Sequence, residues 1–328
     1  MMPPRQAVKI LISVDTEEDN WAATQEPATV ENIRALPKAH EFMTGLGLRP
    51  TYFVNYPVVT TEWSRDIIRG LHQSGCCEIG AHLHPWNTPP LEEPFTPENT
   101  MLKNLPISLQ QKKLEVLTEA IRGVIGQRPT SFRAGRFGLD AAGIRALIDL
   151  GYQVDSSVTP FVDWTEYSRG PDFSRAPYDR YRLDGRSEID VPSAGGPILE
   201  VPISCGFTRL PFGWRGRVHR VLESSRIRPF KLLGLASRTG ILRRVVGSPE
   251  TDGIEDLVRL AESLIESEVG YLHLFFHSSS LIPGNSPFVQ TEEDAQALTA
   301  CISEFVSRVS GFADLESATV SELAGASA

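Results

Sequence analysis

The chain has 328 residues, of which 41% are apolar and 22% charged, and a formal net charge of −9. Those are ordinary proportions for a soluble globular protein with a sizeable core, and they exclude a disordered chain. No run of 18 or more apolar residues is present, which excludes a conventional membrane-spanning helix, and the acidic total fits a nucleic-acid partner poorly.

In chain order, Val8 to Val14 is a short apolar run that ends in the acidic string Asp15-Thr16-Glu17-Glu18-Asp19, the pattern of a buried strand. The run is too short for a signal-peptide core, so a cytoplasmic location is expected. Val30 to Leu46 has helical spacing and stops at Gly45 and Gly47. Thr51 to Val54 reads as a strand and Glu62 to Gln73 as a helix. Glu78 to His84 is strand-like up to Pro85, and the proline-rich stretch 87–97 must be loop. Ser108 to Ile125 carries Leu109, Leu114, Leu117, Ile121 and Val124 at near-helical intervals. Thr130 to Arg133 is a brief strand, Asp140 to Leu150 a helix stopped by Gly151, and Tyr152 to Val154 a strand that reaches Asp155.

The stretch 160–197 is rich in Pro, Gly, Tyr and Arg without clear periodicity, and is expected to be a long loop or insertion with short strands. Ile198 to Ile203 is a strand, Ile254 to Ser267 a helix, and Gly270 to Phe276 an apolar strand ending at His277. Glu292 to Ser310 is the closing helix, and Phe312-Ala313-Asp314 is a candidate last strand. Some seven strand–helix units with apolar strands predict an α/β protein with a parallel sheet. A distorted (β/α) barrel of about seven strands is favoured over an open doubly wound sheet, because the polar candidates are spread over many strands. Residues 1–328 are expected to form a single domain, with a basic, partly helical insertion at 160–250.

Cys76 and Cys77 are adjacent and no C-x-x-C pair occurs, which argues against a disulfide framework or a zinc knot. Cys205 and Cys301 lie in apolar runs and are expected to be buried. Between Arg209 and Arg244 stand ten Lys/Arg against Glu223 alone, a basic island in an acidic chain. With Val218, Val221 and Leu222 interleaved among its arginines, segment 209–244 is a candidate for contact with an anionic membrane surface. The alternative is an insertion whose arginines pair with the acidic body.

Asp15, His82, His84, Arg133, Asp155 and His277 all fall at the C-terminal ends of predicted strands. A parallel barrel gathers those ends on one face, where the active sites of such folds lie. His82 and His84, two apart in an extended segment, point to the same side; co-facial imidazoles make half of a divalent-metal site that a carboxylate completes. A lone H-x-H equally fits two histidines in a half-exposed turn. The carboxylates after Val14 repel one another unless a cation sits among them. Asp15 and Glu17 share one side of an extended chain and suit the site, whereas Glu18 and Asp19 suit a solvated helix-capping turn. His277, at the mouth of an apolar strand, suits a general acid, and His273 a hydrogen-bonded interior role.

Taken in order, these motifs resemble the polysaccharide deacetylase family (NodB-homology domains, carbohydrate esterases). The resemblance is closest to the WalW-type branch, with its S-V-D-T-E-E opening and H-L-H-P-W turn. It rests on five short motifs spread over nearly the whole chain. It implies Asp15 as catalytic base and His82 and His84 as metal ligands, with Glu17 as the acidic ligand and Glu18 its alternative. Arg133, within S-F-R-A-G-R-F-G, would pair with the base; Asp155, within V-D-S-S, would orient the acid; His277 would be that acid. Two departures stand out: the family's second motif spaces its histidines i, i+4, where this chain has Trp86, and its adjacent Asp-Asp becomes Asp15-Thr16-Glu17.

The resemblance implies metal-dependent removal of an acyl group, N-acetyl first, from a sugar of a polysaccharide or lipid-linked glycan, with zinc as the first choice of divalent metal. Trp86, Trp164 and Trp214 are candidates for stacking on sugar rings, and Ser278 and the loop 283–287 for lining the site. Two other functions stay open: a metal-dependent phosphoesterase, which carries H-x-H on its first strand, and a metal-free sugar-binding descendant of the barrel. The oligomeric state is open.

Overall fold

The computed structural model describes residues 5–19, 28–223, 234, 236–237 and 241–325. Its strands are β1 (Ala7–Thr16), β2 (Thr51–Val54), β3 (Glu78–Leu83), β4 (Ser131–Ala134), β5 (Val154–Asp155), β6 (Tyr181–Leu183), β7 (Ile198–Glu200), β8 (Cys205–Phe207), β9 (Arg244–Val246), β10 (Tyr271–His277) and β11 (Asp314–Ser317). Leu11, Ile12 and Val14 of β1 are all buried, as a strand covered on both faces requires. One side of β1 pairs with β10, in a register that sets Asp15 beside His277. Its early residues also pair with β11, and its last four with β2.

The sheet runs β10-β1-β2-β3-β4-β5-β7-β6. Each of these pairings is parallel except that of β6 with β7. The chain leaves β7 at Pro202, which lacks the N–H that a ladder needs, so the strand expected to reach Ile203 ends at Glu200. Irregular backbone then joins β10. Ser204 N–H donates to the His273 carbonyl at 3.1 Å, and Phe275 N–H donates to the Gly247 carbonyl at 2.9 Å. A Cβ on Gly247 would lie 2.8 Å from the His273 carbonyl and 2.9 Å from that of Ser204, so only glycine lets these backbones meet. The result is a curled, mostly parallel barrel-like sheet whose last gap is knitted by loop backbone. The antiparallel pair β8–β9 lies outside it. Strands β6 and β7, both within 160–250, belong to the main sheet.

Among the described residues the α-helices are α1 (Leu36–Gly45), α2 (Tyr56–Thr60), α3 (Glu62–Gln73), α4 (Ile107–Ile125), α5 (Ala141–Leu150), α6 (Phe212–Glu223), α7 (Ile254–Glu266), α8 (Glu292–Val309) and the short α9 (Glu322–Gly325). The expected helix 30–46 is a 3-10 turn, Glu31–Ala35, followed by α1, where Pro37 occupies the first turn that suits it. Helix α4 buries the five apolar residues whose spacing predicted it, and Asp140 caps α5 by accepting from Gly143 N–H at 2.9 Å. Cys205 is buried, but Cys301 is only half-buried on α8. His273 is fully buried, with Nε2 2.8 Å from Ser13 Oγ. Among the described residues, no helix is long and apolar enough to cross a membrane.

Candidate active site

Because β1 and β3 flank β2 in parallel, their C-terminal ends deliver Glu17, His82 and His84 to one rim of the sheet. All three are buried, and their donor atoms converge. The two Nε2 atoms lie 3.0 Å apart, and Glu17 Oε2 is 3.4 Å from His82 Nε2 and 3.2 Å from His84 Nε2. The far side of each ring is already committed. His82 Nδ1 donates to the Arg133 carbonyl at 3.0 Å, and His84 Nδ1 donates to Glu18 Oε1 at 3.0 Å. With hydrogens on both Nδ1 atoms, the Nε2 lone pairs face each other and a carboxylate, which calls for a positive charge between them. The donor set therefore fits a divalent cation.

The electrostatics agree. Burial would raise the Glu17 carboxyl, but His82 and His84 hold it well below the usual carboxylate range. Burial pulls the His84 imidazolium down, and Glu18 and Glu17 outweigh it and push its pKa up to about 10. Glu18, the alternative ligand, instead orients His84. Its carboxylate also accepts from the Trp86 indole N–H at 3.0 Å and from the Asn55 amide. The loop after His84 is pinned by buried Lys113, whose Nζ donates to the carbonyls of Pro85 (2.9 Å) and Thr88 (2.7 Å) and pairs with Glu93. On the other side, Gly135 lies so close that a Cβ there would overlap His84 Cδ2 and sit 2.7 Å from the Leu83 carbonyl.

Asp15 stands beside this triad. Its Oδ1 accepts from Arg133 Nη1 at 2.6 Å, and its Oδ2 lies 3.9 Å from His277 Nε2. The Arg133 guanidinium is completely buried, donating also to the Ser156 carbonyl (3.0 Å) and hydroxyl (3.1 Å), 4.5 Å from the centroid of the Phe53 ring. His277 takes its orientation from Glu250. Nδ1 donates to Glu250 Oε2 at 2.8 Å, and the His277 backbone N–H donates to Oε1 at 3.1 Å. The Ser280 hydroxyl also donates to Glu250. Burial pulls the His277 imidazolium down, but Glu250, with Glu17 and Asp15, pushes its pKa up to about 9.

The orienting role expected for Asp155 is therefore corrected. Asp155 is the register partner of Glu200 on β7, and its Oδ1 accepts from the Ser157 hydroxyl at 2.7 Å. Burial pushes both carboxyls up, Glu200 the further, so one proton is held between them in the sheet interior. Strand β5 is four places from β1 in the sheet order, whereas Glu250 follows directly on the backbone that Gly247 knits to β10.

These groups open into a groove of about 1060 Å³. Trp86 lines it, its ring stacked on His84 with centroids 4.2 Å apart, and Trp164 lines it together with Phe137, Tyr167 and Phe288. The loop 284–287 lines it as expected. Ser278 does not: it is buried beneath the rim, where its hydroxyl accepts from Glu17 N–H at 3.1 Å and so steadies the acidic turn. Trp214 is also excluded, being 52% exposed on α6 away from the groove.

Of the basic island, Arg226, Arg228, Lys231 and Arg238 lie outside the described residues. Arg215 donates to the carbonyls of Leu210 and Ile241, Arg243 pairs with Asp256 at 2.8 Å, and Arg244 with Glu223 at 3.4 Å. Those three follow the pattern of an insertion bound to its own protein. Sequence reasoning missed Glu250 and Arg136, and the resemblance offered Glu18 only as a ligand. The one local signal for Glu250 was an acidic residue after an S-P turn, which by itself points nowhere.

No family model matches the sequence, and neither does any curated protein. Solved structures do match. A protein assigned as a polysaccharide deacetylase from Mycobacterium smegmatis superposes with a TM-score of 0.57 at 16% identity, over 99% of this chain and 91% of that one. One assigned likewise from Pseudomonas aeruginosa gives 0.51 at 13% identity, over 98% and 93%. The allantoinase PuuE gives the same four values. Such identities carry fold and not activity, because one fold hosts several chemistries. The curled, mostly parallel sheet with its helices and its rim of strand ends is thus the fold of the NodB-homology polysaccharide deacetylases.

Proposed function

We propose that the chain is a metal-dependent hydrolase that removes an acyl group, N-acetyl first, from a sugar of a polysaccharide or lipid-linked glycan. The observation that carries the reading is the convergence of three buried donors, Glu17, His82 and His84, with both imidazole Nδ1 atoms already engaged. Zinc suits two imidazoles and one carboxylate with room for further ligands. Bound there, such a cation supplies Lewis acidity, polarising an acyl carbonyl and easing loss of a proton from water.

The chain's own residues do the rest. Asp15, held by Arg133, takes the proton of the attacking water as its oxygen bonds to the acyl carbon. His277, protonated at neutral pH through Glu250, gives a proton to the departing nitrogen as the C–N bond breaks. The 3.9 Å between Asp15 Oδ2 and His277 Nε2 sets base and acid around one small space. Trp86 and Trp164 offer faces on which sugar rings stack. We read residues 1–328 as one domain, since the groove draws on residues from Asp15 to Gln290. The phosphoesterase reading is weaker: among the described residues no second cluster of metal donors accompanies the first, as a two-metal mechanism needs.

The test is metal content and acetate release. The purified protein should carry about one zinc-like ion per chain and release acetate from N-acetylated oligosaccharides. Metal-free protein that binds those sugars without releasing acetate would instead establish the binding-module reading. Glu250→Gln gives a pH test of the acid. The variant lowers the His277 pKa, so the alkaline limb of kcat/KM should move to lower pH by about one unit or more. A limb that stays in place would remove His277 from the proton transfer.

A further inference from the structure

Arg136 is one of two arginines of the groove wall that the proposed reaction does not use. It lies in the turn Gly135–Phe137 with left-handed backbone angles, φ 55° and ψ 21°, and Phe137 follows at φ 58°. Two successive non-glycine residues in that region are costly, and such strain persists where the surroundings impose it. The turn brings the Arg136 side chain to the groove wall. There Nη1 donates to Thr100 Oγ1 at 2.7 Å, and the guanidinium carbon lies 4.9 Å from the centroid of the Trp86 ring and 5.4 Å from that of Tyr167. Among the described residues no carboxylate lies within 4.0 Å of it, and Nε and Nη2 have no protein acceptor. Arg244, the other arginine of the groove wall, is by contrast taken up by Glu223 and by the Phe161 carbonyl at 2.9 Å.

A half-buried guanidinium with an open edge, flanked by aromatic faces, is the arrangement that receives a planar or tetrahedral oxyanion on two N–H donors. Trp86 is also the ring stacked on His84. An anion at Arg136 would therefore sit one aromatic ring away from the proposed reacting centre. We propose that Arg136 forms an anion subsite, and that the glycan bears a carboxylate or phosphate on the acylated sugar or its neighbour. The inference rests on the groove being a glycan site, and it selects acidic glycans over neutral ones.

The experiment is calorimetric titration at fixed, moderate ionic strength of the native protein and of Arg136→Gln. Three probes are used: a tetrasaccharide alternating N-acetylglucosamine and glucuronic acid, N-acetylglucosamine 1-phosphate, and neutral chitotetraose. The native protein should bind one of the two anionic probes about tenfold or more tighter than chitotetraose, and Arg136→Gln should erase most of that ratio. Which anionic probe is preferred identifies carboxylate or phosphate. A ratio near one, a ratio that survives in Arg136→Gln, or no binding of any probe overturns the proposal. A melting temperature and metal content for the variant equal to the native values show that loss of the ratio is local. Acetate is measured in the same samples. A ratio that depends on Arg136 without acetate release ends the hydrolytic reading and leaves the subsite standing, whereas acetate release without a ratio does the reverse.

Discussion

Asp15→Asn is expected to lower kcat by about a hundredfold to ten-thousandfold, the range for loss of a positioned general base, while the protein still takes up metal. Asparagine has nearly the same shape and keeps an oxygen to accept the Arg133 Nη1 hydrogen bond, now 2.6 Å long. It cannot accept the water's proton. The choice of asparagine over alanine matters because Arg133 is completely buried. Either substitution removes its only ion-pair partner among the described residues, at a cost of about 3–5 kcal/mol, but asparagine leaves the guanidinium a hydrogen-bond acceptor that alanine would not. The measurement is kcat on whichever N-acetylated oligosaccharide the native protein turns over, with metal content determined on the same samples. Turnover within tenfold of native would take the base role from Asp15.

The second large effect is expected from His82→Ala/His84→Ala, which should reduce bound metal from about one ion per chain to near zero and abolish turnover. The site also predicts a stability signature in the native protein without metal. The His84 pKa in the fold, about 10, lies above its ordinary 6.5. Proton binding there therefore contributes its full stabilisation below about pH 6.5, and that contribution is lost as pH rises through 10. Metal-free native protein should accordingly melt at lower temperature at pH 10.5 than at pH 7, and saturating zinc should reduce the difference, because the cation replaces the proton between the Nε2 atoms. In the double variant the His84 share of that dependence disappears. Thermal melts in chelator and in zinc at both pH values check this; a native protein whose metal-free melting temperature is the same at both contradicts the reading of His84 as the seat of the proton.

Much of the architecture was legible in periodicity. Amphipathic spacing from Leu109 to Val124 marked α4, and apolar runs ending in polar residues marked β1, β3 and β10. These are local signals, since the side-chain period of a helix or strand is a property of neighbouring residues. What escaped was set by long-range packing. The stretch from Tyr181 to Glu200 carries two strands of the main sheet, but they are only three residues each, too short for alternation to register. Nothing in the order of residues says that Gly247 would seat against β10 and so bring Glu250 to His277, leaving Asp155 to face Glu200.

The sequence by itself determined that strands would alternate with helices, and that Asp15, His82, His84, Arg133 and His277 would stand at strand ends, because a parallel arrangement of such units collects those ends at one rim. Only the tertiary structure decided which carboxylate serves which imidazole: Glu17 facing both Nε2 atoms, Glu18 behind His84, Glu250 behind His277. Spacing put Glu17 with Asp15 on the site side but set Glu18 in a solvated turn, whereas Glu18 is buried against His84, because residues far along the chain close over it. Opposite directions of the two glutamate side chains at the end of β1, with Asn55 and Trp86 on one side and the histidine pair on the other, make them different groups.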